Sequence, residues 1–184
     1  MDIFGSRWQQ HDKRISEAWT ETVGDGDTVV IAGDISWAMS MDDALTDLAY
    51  LDRLPGRKLI GRGNHDYWWG TVNKMKKFFV EQHGLSTLEF LYNNAFEVGE
   101  FIVCGSRGWW GGEGLCPSGV DYGKIVAREA LRVGLSLDAG ERLRAAAHER
   151  GEERELLVFL HFPPAFRDYR CEEIISVLRQ HGVK

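Results

Sequence analysis

The sequence predicts an α/β fold, and two observations carry that expectation. Two short apolar runs, Thr28–Ala32 and Lys58–Gly61, enclose a segment with helical periodicity, and each run leads into glycine and metal-capable side chains. A third run, Leu156–Leu160, ends at His161. Short β-branched runs of this kind read as buried parallel strands, and an open α/β sheet presents its ligands at the carboxyl ends of such strands. Asp34, Asn64, His65 and Asp66 are therefore expected to face one crevice.

Taken in order, His11–Val23 places Ile15, Ala18, Trp19 and Val23 on one helical face. Gly24-Asp25-Gly26-Asp27 is turn chemistry that delivers the chain into strand Thr28–Ala32. A helix-then-strand opening leads to the expectation that a strand has been lost before it. Ser40 can cap a helix over Met41–Leu54, with Ala44, Leu45, Leu48 and Leu51 inward and Asp42 and Asp43 at the positive end. Pro55-Gly56 ends that helix. Strand Lys58–Gly61 follows, then a loop through Asn64 to Trp69, then a helix over Val72–Gln82 closed by Gly84. This strand-helix-strand-helix order favours a parallel crossover.

Leu88–Tyr92 and Glu97–Cys104 read as two more strands paired as a hairpin about Asn93-Asn94. Gly105–Gly119 is glycine-rich and reads as a long irregular loop, of a length that tends to be functional. Tyr122–Glu153 predicts one interrupted helix or two consecutive ones, with a break near Gly134–Asp138. Strand Leu156–Leu160 and a helix over Cys171–Gln180, burying Ile174, Ile175 and Leu178, complete the chain. No repeat, low-complexity tract or linker interrupts it, so residues 1–184 read as a single domain.

Composition narrows the function classes. The chain has 184 residues, 43% of them hydrophobic, and can bury a substantial core. A formal net charge of -6 gives no strong nucleic-acid signal, so an anionic substrate would need local help from Arg, Lys or metal ions. The 3 cysteines, Cys104, Cys116 and Cys171, are few and widely spaced, which predicts free thiols and a cytoplasmic location. Neither a signal peptide nor an apolar run long enough to span a bilayer is present in the sequence, so no membrane partner is expected.

The chemistry resides at the strand ends. A carboxylate (Asp34), an amide oxygen (Asn64) and an imidazole (His161) form an oxygen and nitrogen donor set suited to Mn, Fe, Zn or Mg. With two ions, Asp34 is the natural bridging ligand. His65 stands between Asn64 and Asp66, an arrangement in which the Asp66 carboxylate can orient the imidazole as a general acid for a departing alkoxide.

These residues resemble the calcineurin-like metallophosphoesterases, whose series runs Asp-x-His, Gly-Asp, Gly-Asn-His-Asp/Glu, His, Gly-His-x-His. Gly33-Asp34, Gly63-Asn64-His65-Asp66 and His161 match the middle blocks in order. The resemblance implies a sandwich of two central β-sheets flanked by helices, and hydrolysis of a phosphomonoester or phosphodiester by a metal-activated water. It implies two divalent ions in the complete family pattern, with manganese among the candidates. Carried over, Asp34 looks like the bridging ligand, Asn64 and His161 like ligands of the second metal, and His65 like the catalytic residue, held by Asp66. No Asp-x-His precedes Gly33 and no Gly-His-x-His follows His161. The expectation is thus an incomplete domain lacking its first and last metal-binding segments, with at most one well-formed metal site and impaired turnover.

The remaining candidates have a plainer reading beside the functional one. Arg107 can reach a substrate phosphate as a bidentate donor or simply brace its loop. Trp37, Trp68, Trp69, Trp109 and Trp110 follow strand ends and either wall a pocket or pack loops onto the sheet. An alternative reading is therefore a non-catalytic relative that binds a partner or ligand through a Trp-rich crevice. Arg62 is a weaker phosphate candidate than Arg107, and Cys116 lacks a His partner that would make it a nucleophile. His11, His83, His148 and His181 are expected to be solvated.

Overall fold

Two three-stranded sheets stack face to face, with helices on their outer sides, in a computed structural model that describes Gly5 and residues 8–109 and 119–183. In the first sheet, β1 (Thr28–Ile31), β2 (Arg57–Gly61) and β3 (Leu88–Leu91) lie side by side and parallel. In the second, β4 (Asn94–Val98) runs antiparallel to β5 (Phe101–Ser106), which pairs parallel with β6 (Glu155–Leu160). The expected sandwich of two central sheets is thus the observed architecture.

Alternation along the strands builds the layers. Leu59 and Leu91 point inward and meet Val103 of β5, together with Val30, Phe96, Val98 and Phe159, in a core between the sheets. Their neighbours Ile60 and Phe90 point outward, onto Ala44 and Leu48 of α2 (Met41–Asp52) and onto Met75 and Phe79. On the opposite side, Ile102 and Cys104 pack against α4 (Tyr122–Glu149) and Ile174 of α5 (Glu172–Gln180). Side-chain caps start α2 and α4: Ser40 accepts from Asp43 N, and Asp121 accepts from Lys124 N at 3.0 Å.

Several expectations give way here. The hairpin is not Leu88–Tyr92 with Glu97–Cys104. The chain leaves the first sheet at Asn93, which takes φ 61, and the hairpin is β4–β5, turned at Gly99-Glu100 with Gly99 at φ 55. No break occurs at Gly134–Asp138, because α4 is one helix of 28 residues. Its small residues instead allow close packing: a Cβ on Gly140 would stand 2.4 Å from Cys104 Sγ. The helix over Val72–Gln82 is α-helical only over α3 (Val72–Met75) and continues as a π-helical segment, Lys76–Gln82. A small hairpin, β7 (Ala165–Phe166) with β8 (Tyr169–Arg170), was not anticipated. The first helix, α1 (His11–Thr22), buries none of its residues: Ile15 stays 51% exposed, and Trp19 Nε1 donates to Pro55 O at 2.9 Å. His181 is not solvated either, since it lies half-buried near Asp138 and Glu141. Cys104 and Cys171 are free and buried, and Cys116 lies outside the described residues.

One buried charge fixes the α2–β2 connection. Lys58 is fully buried, and its Nζ donates to Leu54 O, to Thr87 Oγ1 at 3.1 Å and to Asp52 O at 3.4 Å, capping the carbonyl end of α2. Burial lowers its pKa, against the pull of Asp52. Lys58→Met fills the same space but leaves the carbonyls unpaired, so urea unfolding is expected to register a loss of about 1–3 kcal/mol.

Candidate metal centre

The site begins with a contact between two glycines. Gly33, at φ 105, and Gly63 press the loops after β1 and β2 together so closely that a Cβ on Gly33 would lie 2.3 Å from Gly63 N. A Cβ on Gly63 would lie 2.0 Å from Asp34 Oδ1. Side chains at either position would push Asp34 away from Asn64. Gly63→Ala is accordingly expected to cost about 1–3 kcal/mol by overpacking and to lower bound divalent metal, read by elemental analysis after dialysis.

Asp66 locks this contact. Its carboxylate is 1% exposed and accepts from Gly63 N at 2.7 Å, Asp34 N at 2.8 Å, Ile35 N at 2.9 Å and Ser36 N at 3.2 Å. Asp34 itself takes φ 58, a left-handed conformation that asparagine and aspartate tolerate better than other side chains. The expectation that Asp66 holds the His65 ring is therefore corrected: both of its oxygens are engaged by backbone amides, and it organises the loop that carries Asp34.

Asp34, Asn64 and His161, from the ends of β1, β2 and β6, do come together. His161 Nε2 lies 2.9 Å from Asn64 Oδ1 and 3.6 Å from Asp34 Oδ1. Its Nδ1 lies 2.9 Å from Ala32 O. A carbonyl can only accept, so Nδ1 donates to it, and Nε2 is the ring atom turned toward the Asn64 and Asp34 oxygens. With Nε2 unprotonated, these three side chains would offer a divalent cation one imidazole nitrogen and two oxygens. The backbone carbonyl behind the imidazole is the outer partner that metal-ligating histidines use. Among the described residues no group of three or more His, Cys, Asp and Glu gathers to hold a metal, so the candidate set is one carboxylate, one amide and one imidazole. That donor chemistry fits a hard or borderline divalent ion.

His65 stands beside this trio by a different route. Its backbone N–H donates to Asp34 Oδ1 at 3.0 Å, while its ring Nδ1 lies 3.1 Å from Tyr67 Oη. The Trp37 ring stacks on the imidazole at 4.6 Å between centroids and 18° between planes. Neither Tyr67 nor Trp37 was singled out as a partner of His65. A tyrosine two residues after the histidine was the available signal for one of them.

The other candidates separate. Trp68 and Trp69, 4% and 9% exposed, belong to the core between the first sheet and α2, so they wall no crevice. Trp109 packs against the other core and Trp110 lies outside the described residues, whereas Trp37, 65% exposed, stays at the site on the His65 ring. Arg107 is tied to Glu129 of α4 at 3.1 Å and lies over the Trp109 ring, 5.2 Å from its centroid. No helix among the described residues is long and apolar enough to cross a membrane.

Comparison with known proteins agrees with this geometry. A stretch of 58 residues is 41% identical to the Gene 66 protein of Mycobacterium phage L5, covering 32% of this chain and 28% of that protein. A family model described as calcineurin-like phosphoesterase matches residues 7–184, almost the whole chain. With the matched strand-end residues converging at the edge of a two-sheet sandwich, the chain belongs to the calcineurin-like phosphoesterase family.

Proposed function

We propose that this chain is a metal-dependent phosphoesterase whose reaction centre is the Asp34, Asn64 and His161 trio with His65 beside it. Its family is one of phosphoesterases that generally bind divalent metals. The observation that carries the reading is the convergence of His161 Nε2 on Asn64 Oδ1 and Asp34 Oδ1 while Nδ1 is committed to Ala32 O. A cation held by those three side chains, with Mn, Fe, Zn and Mg all compatible, would supply Lewis-acid polarisation of a phosphoryl oxygen and activation of water. Asp34 would offer its carboxylate to that cation, and it accepts the His65 backbone N–H. His65 is steadied at Nδ1 by Tyr67, which leaves Nε2 as the atom that delivers a proton to the departing alkoxide oxygen.

Neither an Asp-x-His nor a Gly-His-x-His block occurs in the 184 residues. The reading therefore assigns one metal's ligands to these 184 residues. The compartment that suits it is the cytoplasm, where buried thiols such as Cys104 and Cys171 stay reduced.

Hydrolysis of p-nitrophenyl phosphate and bis-p-nitrophenyl phosphate with Mn²⁺ or Zn²⁺ tests the proposal. Metal-dependent release of nitrophenol, abolished by EDTA, is the expected result. A chain that retains no divalent metal and hydrolyses neither ester would overturn it.

A further inference from the structure

A second charged cluster lies along the same edge of the sheets, where the metal trio does not account for it. Arg62 follows β2 two residues before Asn64, and Arg107 follows β5, where its carbonyl accepts from Phe162 N at 2.9 Å, the residue after His161. Arg132 reaches the cluster from α4. Tyr92, at the end of β3, joins them: the Arg62 and Arg132 guanidinium carbons lie 5.9 and 5.6 Å from its ring centroid. Arg107 and Arg132 share one carboxylate, that of Glu129. Glu129 is fully buried, and a single oxygen, Oε1, takes both Arg107 at 3.1 Å and Arg132 at 2.5 Å.

Among the described residues the cluster is therefore short of negative charge. Among the described residues the buried Nε–H groups of Arg62 and Arg107 have no hydrogen-bond partner, and neither has the second Glu129 oxygen, Oε2. Burial presses the Arg107 pKa down, Glu129 pulls it up, and the charges of Arg62 and Arg132 push it down again. Packing onto Tyr92 and Trp109 occupies guanidinium faces and leaves N–H edges for an acceptor. Guanidinium groups partly withdrawn from water favour a counter-ion, and arginine edges match tetrahedral oxyanions. In a chain of net charge -6, this is a local reversal of sign.

We propose that Arg62, Arg107 and Arg132 form a phosphate-binding subsite beside the metal trio, which takes a second phosphate group carried by the substrate. A phosphate dianion would balance three guanidinium groups and one carboxylate. The subsite deepens the phosphoesterase reading and rests on it for the source of that phosphate, although not for phosphate binding itself.

Calorimetric titration of the intact chain with inorganic phosphate in EDTA tests the subsite without the metal centre. Wild type is expected to bind phosphate. Arg62→Met and Arg132→Gln should weaken binding at least about tenfold, with circular dichroism melts verifying their folding. Glu129→Gln should tighten it, a response that a purely structural cluster would not give, and Asp34→Asn should leave it unchanged. Absence of binding by wild type, or loss on Asp34→Asn with retention in both arginine variants, overturns the proposal.

The source is read separately in metal-loaded protein, from kcat/KM for adenosine 3′,5′-bisphosphate against AMP. A preference for the bisphosphate that Arg132→Gln erases supports a substrate-borne phosphate. No preference, with phosphate binding intact in EDTA, overturns that source and assigns the site to free phosphate. Failure to hydrolyse any ester while phosphate still binds sinks the phosphoesterase reading and spares the subsite.

Discussion

Asp66→Ala is expected to lower the unfolding free energy by roughly 3–5 kcal/mol and to strip the protein of divalent metal. The carboxylate accepts hydrogen bonds from Gly63, Asp34, Ile35 and Ser36, all on the two loops that meet at the site. A buried anion in a ring of backbone amides is hard to replace by water, because the loops on either side fill the space. Without it, Asp34 has no reason to stay at φ 58, and the carboxylate moves off the point where Asn64 and His161 meet. Asp66→Asn keeps the shape but turns an amide NH₂ toward N–H donors, so it should fall between wild type and alanine. Urea unfolding and metal analysis on the same samples decide the matter. Were Asp66→Asn to keep wild-type stability and metal content while turnover alone fell, the carboxylate would be an orienter of His65, as adjacency in the sequence implies.

That contrast shows which parts of the molecule are legible from residues alone. Local signals carried through where the partner was local: Ser40 caps α2 through Asp43 N, and the outward and inward alternation of Ile60 and Leu59 sorts two cores. Gly33-Asp34 and Gly63-Asn64 were visible because strand ends and glycines mark where a chain must turn. The convergence of His161 with them was expected from order along the chain, and the sheets bring it about. What failed depended on distant partners. Gly134 to Asp138 reads as a break in isolation, yet Gly140 nearby is needed to seat α4 against Cys104. Asp66 was paired with its neighbour His65, whereas its partners include the amides of Asp34, Ile35 and Ser36, about thirty residues away. Arg132 carries no signal of its own, because only the packing of α4 on the second sheet brings it to Arg107 and Tyr92.

His65→Ala is expected to reduce kcat about 10²- to 10⁴-fold while leaving bound metal intact, and Asp34→Ala should lose both. The difference follows from what each side chain touches. Asp34 Oδ1 belongs to the set facing His161 Nε2, so its removal would subtract a donor from the proposed metal site. The His65 ring contributes no atom to that set: its Nδ1 meets Tyr67, and its face meets Trp37. Tyr67→Phe tests the same division more gently. The substitution removes the hydroxyl at 3.1 Å and keeps the ring, so the imidazole loses its hydrogen-bonded anchor while retaining the Trp37 stack. Losing one such hydrogen bond is worth about 1 kcal/mol, so a fall in kcat of up to about tenfold is expected, with KM and metal content near wild type. Tyr67 and Trp37 are 51% and 65% exposed, which keeps their substitution from disturbing the core. Equal metal loss in His65→Ala and Asp34→Ala would place the imidazole among the ligands and remove the basis for treating it as the proton donor.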